Sequence, residues 1–110
     1  MGEQKLLLFM EAFPKFASEL TQMLVEDGEN ELAAQVSQLR IVERCRCGDD
    51  FCATFYPQPR PEGRWAPTHR TLPLDFKDGT VIVDVVSDKI ACVEVLDRPE
   101  IRAKLLALFP

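Results

Sequence analysis

The chain is poor in the residues that most catalytic and anchoring chemistries need. It has one histidine, one tryptophan and one tyrosine in 110 residues. It contains no G-x-S-x-G nucleophile elbow, no glycine-rich phosphate loop and no H-E-x-x-H pair, so the corresponding hydrolase, nucleotide and metalloprotease chemistries have no motif to carry them. No apolar run approaches the roughly 18 residues of a membrane span. Positive charge is short as well. Thirteen Lys and Arg stand against eighteen Asp and Glu, a net charge of −5, which argues against a nucleic-acid or anionic-membrane binder. A hydrophobic fraction of 46% with 28% charged residues excludes intrinsic disorder for most of the chain. The length predicts one domain over residues 1–110 with a core of useful size.

The apolar stretch Leu6 to Met10 is bracketed by Glu3 and Glu11. It is too short for a secretory signal, which needs a basic start, a longer apolar centre and a small-residue cleavage site. Met1-Gly2 lacks the Ser or Thr at position 6 that myristoylation requires. The expected location is the cytoplasm, where the four cysteines stay thiols rather than forming a disulfide scaffold.

Residues 1–39 read as helical. A short helix carries Leu6, Phe9, Met10 and Phe13. A second opens at Pro14, repeats Phe16, Leu20, Met23 and Leu24 at helical spacing, and stops at Gly28. A third, over 29–39, aligns Leu32, Val36 and Leu39. With seven acidic and two basic side chains, the outer face of this region is negative. Residues 40–96 change to a period of two. Strands are predicted at 40–47, 51–56, 71–76, 80–86 and 90–96, with turns at Gly48-Asp49-Asp50, Asp78-Gly79 and Ser87-Asp88-Lys89 and a long loop over 57–70. Asp97-Arg98-Pro99-Glu100 matches a capping box with Asp97 as N-cap, opening a helix over 97–109 that buries Ile101, Leu105 and either Leu108 or Phe109. The fold class is therefore α+β in two layers, with N-terminal helices and one C-terminal helix on a largely antiparallel five-stranded meander.

Chemical character concentrates in Cys45, Cys47 and Cys52, with Cys92 farther along. Four thiols are enough for a tetrahedral zinc site, but C-x-C followed by x₄-C departs from the usual C-x₂₋₄-C spacing. Hairpin parity decides between chemistry and packing. An even loop sets Cys47 opposite Cys52 on the same face as Cys45, and three sulfurs converge. A three-residue loop sends Cys52 to the other face. The odd loop gives the cleaner apolar face (Ile41, Cys45, Cys47, Phe51, Ala53 and Phe55), with Glu43 as its one misfit. On that basis the thiols are small core residues, and the metal or redox site, with Cys92 or His69 as fourth ligand, is the alternative.

In the last hairpin, Val81, Val83, Val85, Ala91, Val93 and Val95 form an inner face. A three-residue turn sets Asp84 opposite Cys92 and Ile82 opposite Glu94 on an outer face that also carries Val86, Ile90 and Leu96. That mixed face suits either a binding or dimerisation surface or a cover formed by the long loop. The loop holds Arg60, Arg64, Trp65, His69 and Arg70, residue types that recognise protein partners, in a stretch where six arginines meet four acids over 40–70. A solvated, proline-stiffened connection is the plain alternative for the loop. His69 as a catalytic base needs an orienting acid, and Thr68, Thr71 and Asp75 are only sequence neighbours.

The stretches RCRCGDDFCATFY (44–56) and VEVLDR (93–98) resemble those of small bacterial proteins in families of unknown function, over about residues 40–108. The resemblance implies a bacterial cytoplasmic protein and supplies no activity, cofactor or site residue. The leading expectation is a non-catalytic protein-binding or regulatory module, with a protein partner or a second copy as ligand and no membrane, nucleic acid or identifiable small-molecule substrate. The alternative is a thiolate zinc or redox protein using Cys45, Cys47 and Cys52 with Cys92. A small enzyme working from the His69 loop is third.

Overall fold

A computed structural model describes residues 7–110; the expectations for residues 1–6, Leu6 among them, lie outside this range. The chain runs β1 (Leu7–Leu8), α1 (Phe9–Ala12), α2 (Pro14–Glu26), α3 (Asn30–Gln35), a 3₁₀ turn (Val36–Gln38), β2 (Arg40–Ile41), β3 (Glu43–Arg44), β4 (Phe55–Tyr56), β5 (Arg70–Leu74), β6 (Thr80–Val86), β7 (Lys89–Leu96) and α4 (Pro99–Leu108). The α+β class and the five-stranded antiparallel sheet are as the sequence predicts, with strand order β3-β4-β7-β6-β5. β1 and β2 form a separate two-stranded pair. The meander holds for β5-β6-β7 only. β4 lies beside β7, so the loop after Tyr56 must cross to the far edge of the sheet, the connectivity of a Greek key. That crossing explains the loop's length.

Helix α2 starts with Pro14 in its first turn and ends as the sequence indicates. The N–H of Glu29 returns to the Leu24 carbonyl and that of Gly28 (φ +79°) to Val25, a Schellman motif that satisfies the last carbonyls. Phe16, Leu20 and Leu24 point into the core with Leu32, Val36, Ile101 and Leu105. They cover an inner sheet face of Ala53, Phe55, Val81, Val83, Val85, Ile90, Val93 and Val95. Phe9 sits at the centre, fully buried, with ring centroids 4.8 Å from Phe55 and 5.6 Å from Phe16. At about 25 cal/mol per Å² of apolar surface removed from water, rings of this size are the largest single contributors to the core.

Three local expectations are corrected. The β6–β7 turn has two residues rather than three, because Val86 pairs with Lys89. Ser87 and Asp88 both take positive φ (50° and 64°), the type I′ geometry that matches strand twist. A bulge at Ala91 then restores Asp84 opposite Cys92 and Ile82 opposite Glu94, and turns Ile90 into the core instead of outward. Asp97 is not the N-cap of α4. It has φ 62°, and the cap is Arg98, whose carbonyl accepts from the N–H groups of Ile101 and Arg102. Leu108 is exposed, and Phe109 is the partly buried residue at the end of α4.

Arg98 is almost completely buried and ties three elements together. Its guanidinium donates to Glu100 (2.9 Å), to the Asp78 carbonyl (3.3 Å) and to Glu19 on α2 (3.5 Å), over the Phe16 ring. Gly79 makes this possible. At φ +75°, a Cβ there would lie 2.6 Å from the Leu96 carbonyl oxygen and 2.8 Å from the Arg98 side chain. Gly79→Ala is therefore expected to destabilise the fold by at least about 1–3 kcal/mol, the cost of a left-handed non-glycine residue, with the backbone clash in addition. A urea midpoint equal to that of the parent protein would contradict this packing.

Candidate metal centre

The β3–β4 hairpin settles the parity question against the odd loop. Glu43 pairs with Tyr56 and Arg44 with Phe55, and the Cys45 N–H reaches the Thr54 carbonyl. The same register carried to the tip sets Cys47 opposite Cys52, with four residues between them. Ala53 and Phe55 face inward and are fully buried, so Cys52 and Thr54 face outward. The partner strand keeps Ile41 in the core and still turns Glu43 and Cys45 outward, because Val42 and Glu43 both face Tyr56, as in a bulge. Glu43, the misfit of the odd-loop arrangement, was the signal in the sequence that could have revealed this. It accepts from the Arg60 N–H on the outer side. Arg44 and Arg46 consequently lie on the inner side of the hairpin. There they donate to the carbonyls of Phe109 and Pro110, just past the end of α4, where unpaired carbonyls and the helix dipole favour cations.

The cysteine sulfurs of this hairpin converge. The Sγ atoms of Cys45, Cys47 and Cys52 all lie within 4.8 Å of one another. Cys45 and Cys52 are half-buried and Cys47 is exposed at the tip. Donors from the backbone and a neighbouring hydroxyl point at the sulfurs. The Asp49 N–H reaches Cys47, and the Thr54 hydroxyl and N–H reach Cys52. That hydroxyl in turn accepts from the Val95 N–H at 3.1 Å, which polarises it toward the sulfur. Burial raises the Cys52 thiol, but the Thr54 donors and the Cys47 and Cys45 thiols outweigh it and leave Cys52 below the ordinary value. For Cys47, the Asp49 N–H works to lower the thiol, but burial and the adjoining Cys52 and Cys45 push it up to about 11.

Cys92 does not join this group. It is buried beside Asp84 and Glu94, and burial pushes its thiol far above the ordinary range. Asp84, almost completely buried, is the residue that sequence reasoning missed as the hub of the outer face. Its Oδ1 lies 2.8 Å from His69 Nε2 and 3.4 Å from the Thr71 hydroxyl, and Cys92 and Glu94 also bond to it. Neighbouring strands make this cluster, since Thr71 and Cys92 flank Asp84 across the sheet. The pairing of Asp84 with Cys92 was expected from a three-residue turn and is made instead by the bulge, whereas the contact with His69, fifteen residues away, was not foreseen.

The loop residues expected to meet a partner are divided. Arg60 is exposed with its guanidinium 5.7 Å from the centre of the Tyr56 ring, and Arg64 is exposed. Trp65 is half-buried and stacks on His69 at 5.0 Å. His69 is held by Asp84, and the Thr68 hydroxyl bonds to Ser87. Arg70 forks onto Glu29 at 3.0 and 3.1 Å, on the helical side of the molecule. The loop therefore covers part of the outer face, while Arg70 belongs to another surface. No helix among the described residues is long and apolar enough to cross a membrane.

Glu94 carries a pH dependence. The hydrogen bond to Asp84, then burial, then the Asp84 charge raise its carboxyl to about 7 from the ordinary 4.5. A carboxyl raised on folding keeps its proton in the native state, so its contribution is full below about pH 4.5 and is lost as pH rises through 7. The parent protein is expected to lose urea resistance between pH 5 and pH 8 from this group, and Glu94→Gln to show less of that loss. An unchanged pH profile in the variant would remove the shared proton from the account.

No protein-family profile, no curated protein and no solved structure matches this chain. The chemistry of the site therefore follows from its own residues.

Proposed function

We propose that the protein binds a thiophilic metal ion, zinc in the first instance, through the Sγ atoms of Cys45, Cys47 and Cys52. The observation that carries this reading is the convergence of the three sulfurs within 4.8 Å. A tetrahedral zinc with bonds of about 2.3 Å needs sulfurs about 3.8 Å apart, so closure on an ion asks for at most about 1 Å of contraction. The hairpin supports it in one further way. The Thr54 hydroxyl and N–H aimed at Cys52 favour the thiolate form that a metal requires. Cys92 and His69, the two candidates for a fourth ligand, are both engaged by Asp84. Three protein ligands with an open fourth position describe an ion held for exchange or reaction rather than a closed structural site.

A second reading, a protein partner or second copy recognised by the 57–70 loop, is supported by the exposure of Arg60 and Arg64 beside half-buried Trp65. Because Trp65 stacks on His69, Arg64→Ala is the cleaner probe of that surface. It is expected to reduce recovery of a partner without moving the melting temperature, and unchanged recovery would count against the loop.

The metal reading predicts about one zinc per chain in protein purified under reductant without chelator, with three thiols protected until a chelator is added. Single Ser substitutions at Cys45, Cys47 and Cys52 are each expected to weaken zinc at least about tenfold in competition with a chromophoric chelator. Cys92→Ser should leave the affinity unchanged. Metal-free protein, or equal loss from Cys92→Ser, would overturn the assignment.

A further inference from the structure

The same hairpin arranges two of the three thiols for a different reaction. The pairing of Arg44 with Phe55 and the bond from the Cys45 N–H to the Thr54 carbonyl set a register that, carried past the ends of the strands, brings Cys47 opposite Cys52; there the Cys52 N–H turns to the Asp49 carbonyl, and the two sulfurs lie within 4.8 Å of each other. Opposed residues of antiparallel strands have Cα atoms about 4.5–5.5 Å apart, inside the roughly 4.4–6.8 Å that a disulfide spans. Cys45 stands diagonally from Cys52, at a spacing of about 7–8 Å for antiparallel strands, beyond that range. Cys45 and Cys47 follow the end of β3 with only Arg46 between them, and the register gives Cys45 a different cross-strand neighbour, Thr54. Cys92 is outside the group and buried. The register therefore favours one pair among the three converging thiols. Access agrees with it, because Cys47 is exposed and the four residues at the tip, Gly48 to Phe51, are exposed as well. Gly48, at φ +85° with open space around its Cα, lets the tip adjust.

We propose that Cys47 and Cys52 are a reversible oxidation site, closing to an intramolecular disulfide by exchange with a small-molecule disulfide such as oxidised glutathione. One thiol of the pair attacks the external disulfide and releases one external thiol; the other displaces the second. In sum, two cysteine thiols and one external disulfide become one Cys47–Cys52 disulfide and two external thiols, with two electrons and two protons passing to the external sulfurs. The disulfide rests on the hairpin register and the convergence of the sulfurs, and needs no metal. Its consequence for the metal rests on the three-thiolate reading above: two of the three ligands are consumed, so oxidation releases the ion and reduction restores the site.

The test uses the whole chain, reduced and zinc-loaded, placed in buffers of increasing oxidised-to-reduced glutathione ratio, quenched by alkylation and cut with trypsin. Cleavage after Arg46 and Arg64 leaves Cys47 and Cys52 on one fragment and Cys45 on another. The expected result is a fragment 47–64 lighter by two hydrogens and unreactive to the alkylating agent, with Cys45 and Cys92 still alkylated. Zinc, followed by a chromophoric chelator, should appear in step with that fragment, about one ion per disulfide. The variant Cys45→Ser, which lacks the third ligand, should form the same disulfide over the same range of ratios. Stable glutathione adducts on Cys47 without the bond, or bonding through Cys45 in the parent, would overturn the proposal. If the reduced chain takes no zinc, the metal reading fails separately, and Cys45→Ser still decides whether the disulfide forms.

Discussion

The burial of Phe55 is the constraint on which the candidate site depends. Phe55 lies between Phe9 of the helical layer and Val93 of the central strand, and all three are fully buried. Its inward position fixes the parity of β4, since side chains alternate and a slip of one residue would bring Thr54 and Cys52 into the core. Ala53 beside Val95 repeats the same choice one step nearer the tip. Cys52 must then face outward, and the register of the hairpin puts Cys47 and Cys45 with it. The thiol cluster is thus a consequence of a hydrophobic contact made on the opposite side of the sheet.

That choice leaves a problem on the inner side, where Arg44 and Arg46 now lie. An unpaired guanidinium under a sheet would be costly to desolvate. Both arginines are at the sheet's edge and reach the carbonyls beyond the end of α4, whose negative dipole end receives them. The C-terminal helix is therefore held at both ends by arginines, by Arg98 at its start and by Arg44 and Arg46 at its finish. The hairpin that carries the thiols is anchored to the rest of the fold through the same contacts.

The outer face divides into two chemically distinct parts. At one end the thiols meet, half-buried to exposed, with donors aimed at sulfur. At the other, Asp84 gathers His69, Thr71, Cys92 and Glu94 beneath the crossing loop. A buried carboxylate with four partners is a satisfied network, and it anchors the loop through His69 and the Trp65 stacked on it. This network removes Cys92 and His69 from the thiol site. The metal reading with three ligands and an open position, rather than four, is its result.

The sequence by itself determined the layers and most element types. Apolar spacing in α2, the Pro14 and Gly28 boundaries and the alternation of Val81 to Val95 depend on neighbours in the chain, and local periodicity reports those. The pairing of Asp84 with Cys92 follows from the expected three-residue turn and holds only because the bulge at Ala91 supplies the residue that the two-residue turn lacks. Only the tertiary structure decided whether the cysteines pack or converge. Both hairpin loops satisfy local turn chemistry at Gly48-Asp49-Asp50, and the odd one makes the better isolated amphipathic strand pair. The balance was tipped by Phe9 and Val93 closing on Phe55 and by the end of α4 accepting Arg44 and Arg46, contacts 46, 38 and about 65 residues apart in the chain. Loop 57–70 is similar: its prolines mark it as a connection, but the Greek-key crossing and the meeting of His69 with Asp84 exist only once β4 has chosen β7 as its neighbour. Periodicity sees which side of an element is apolar. It cannot see which distant side chain arrives to cover it.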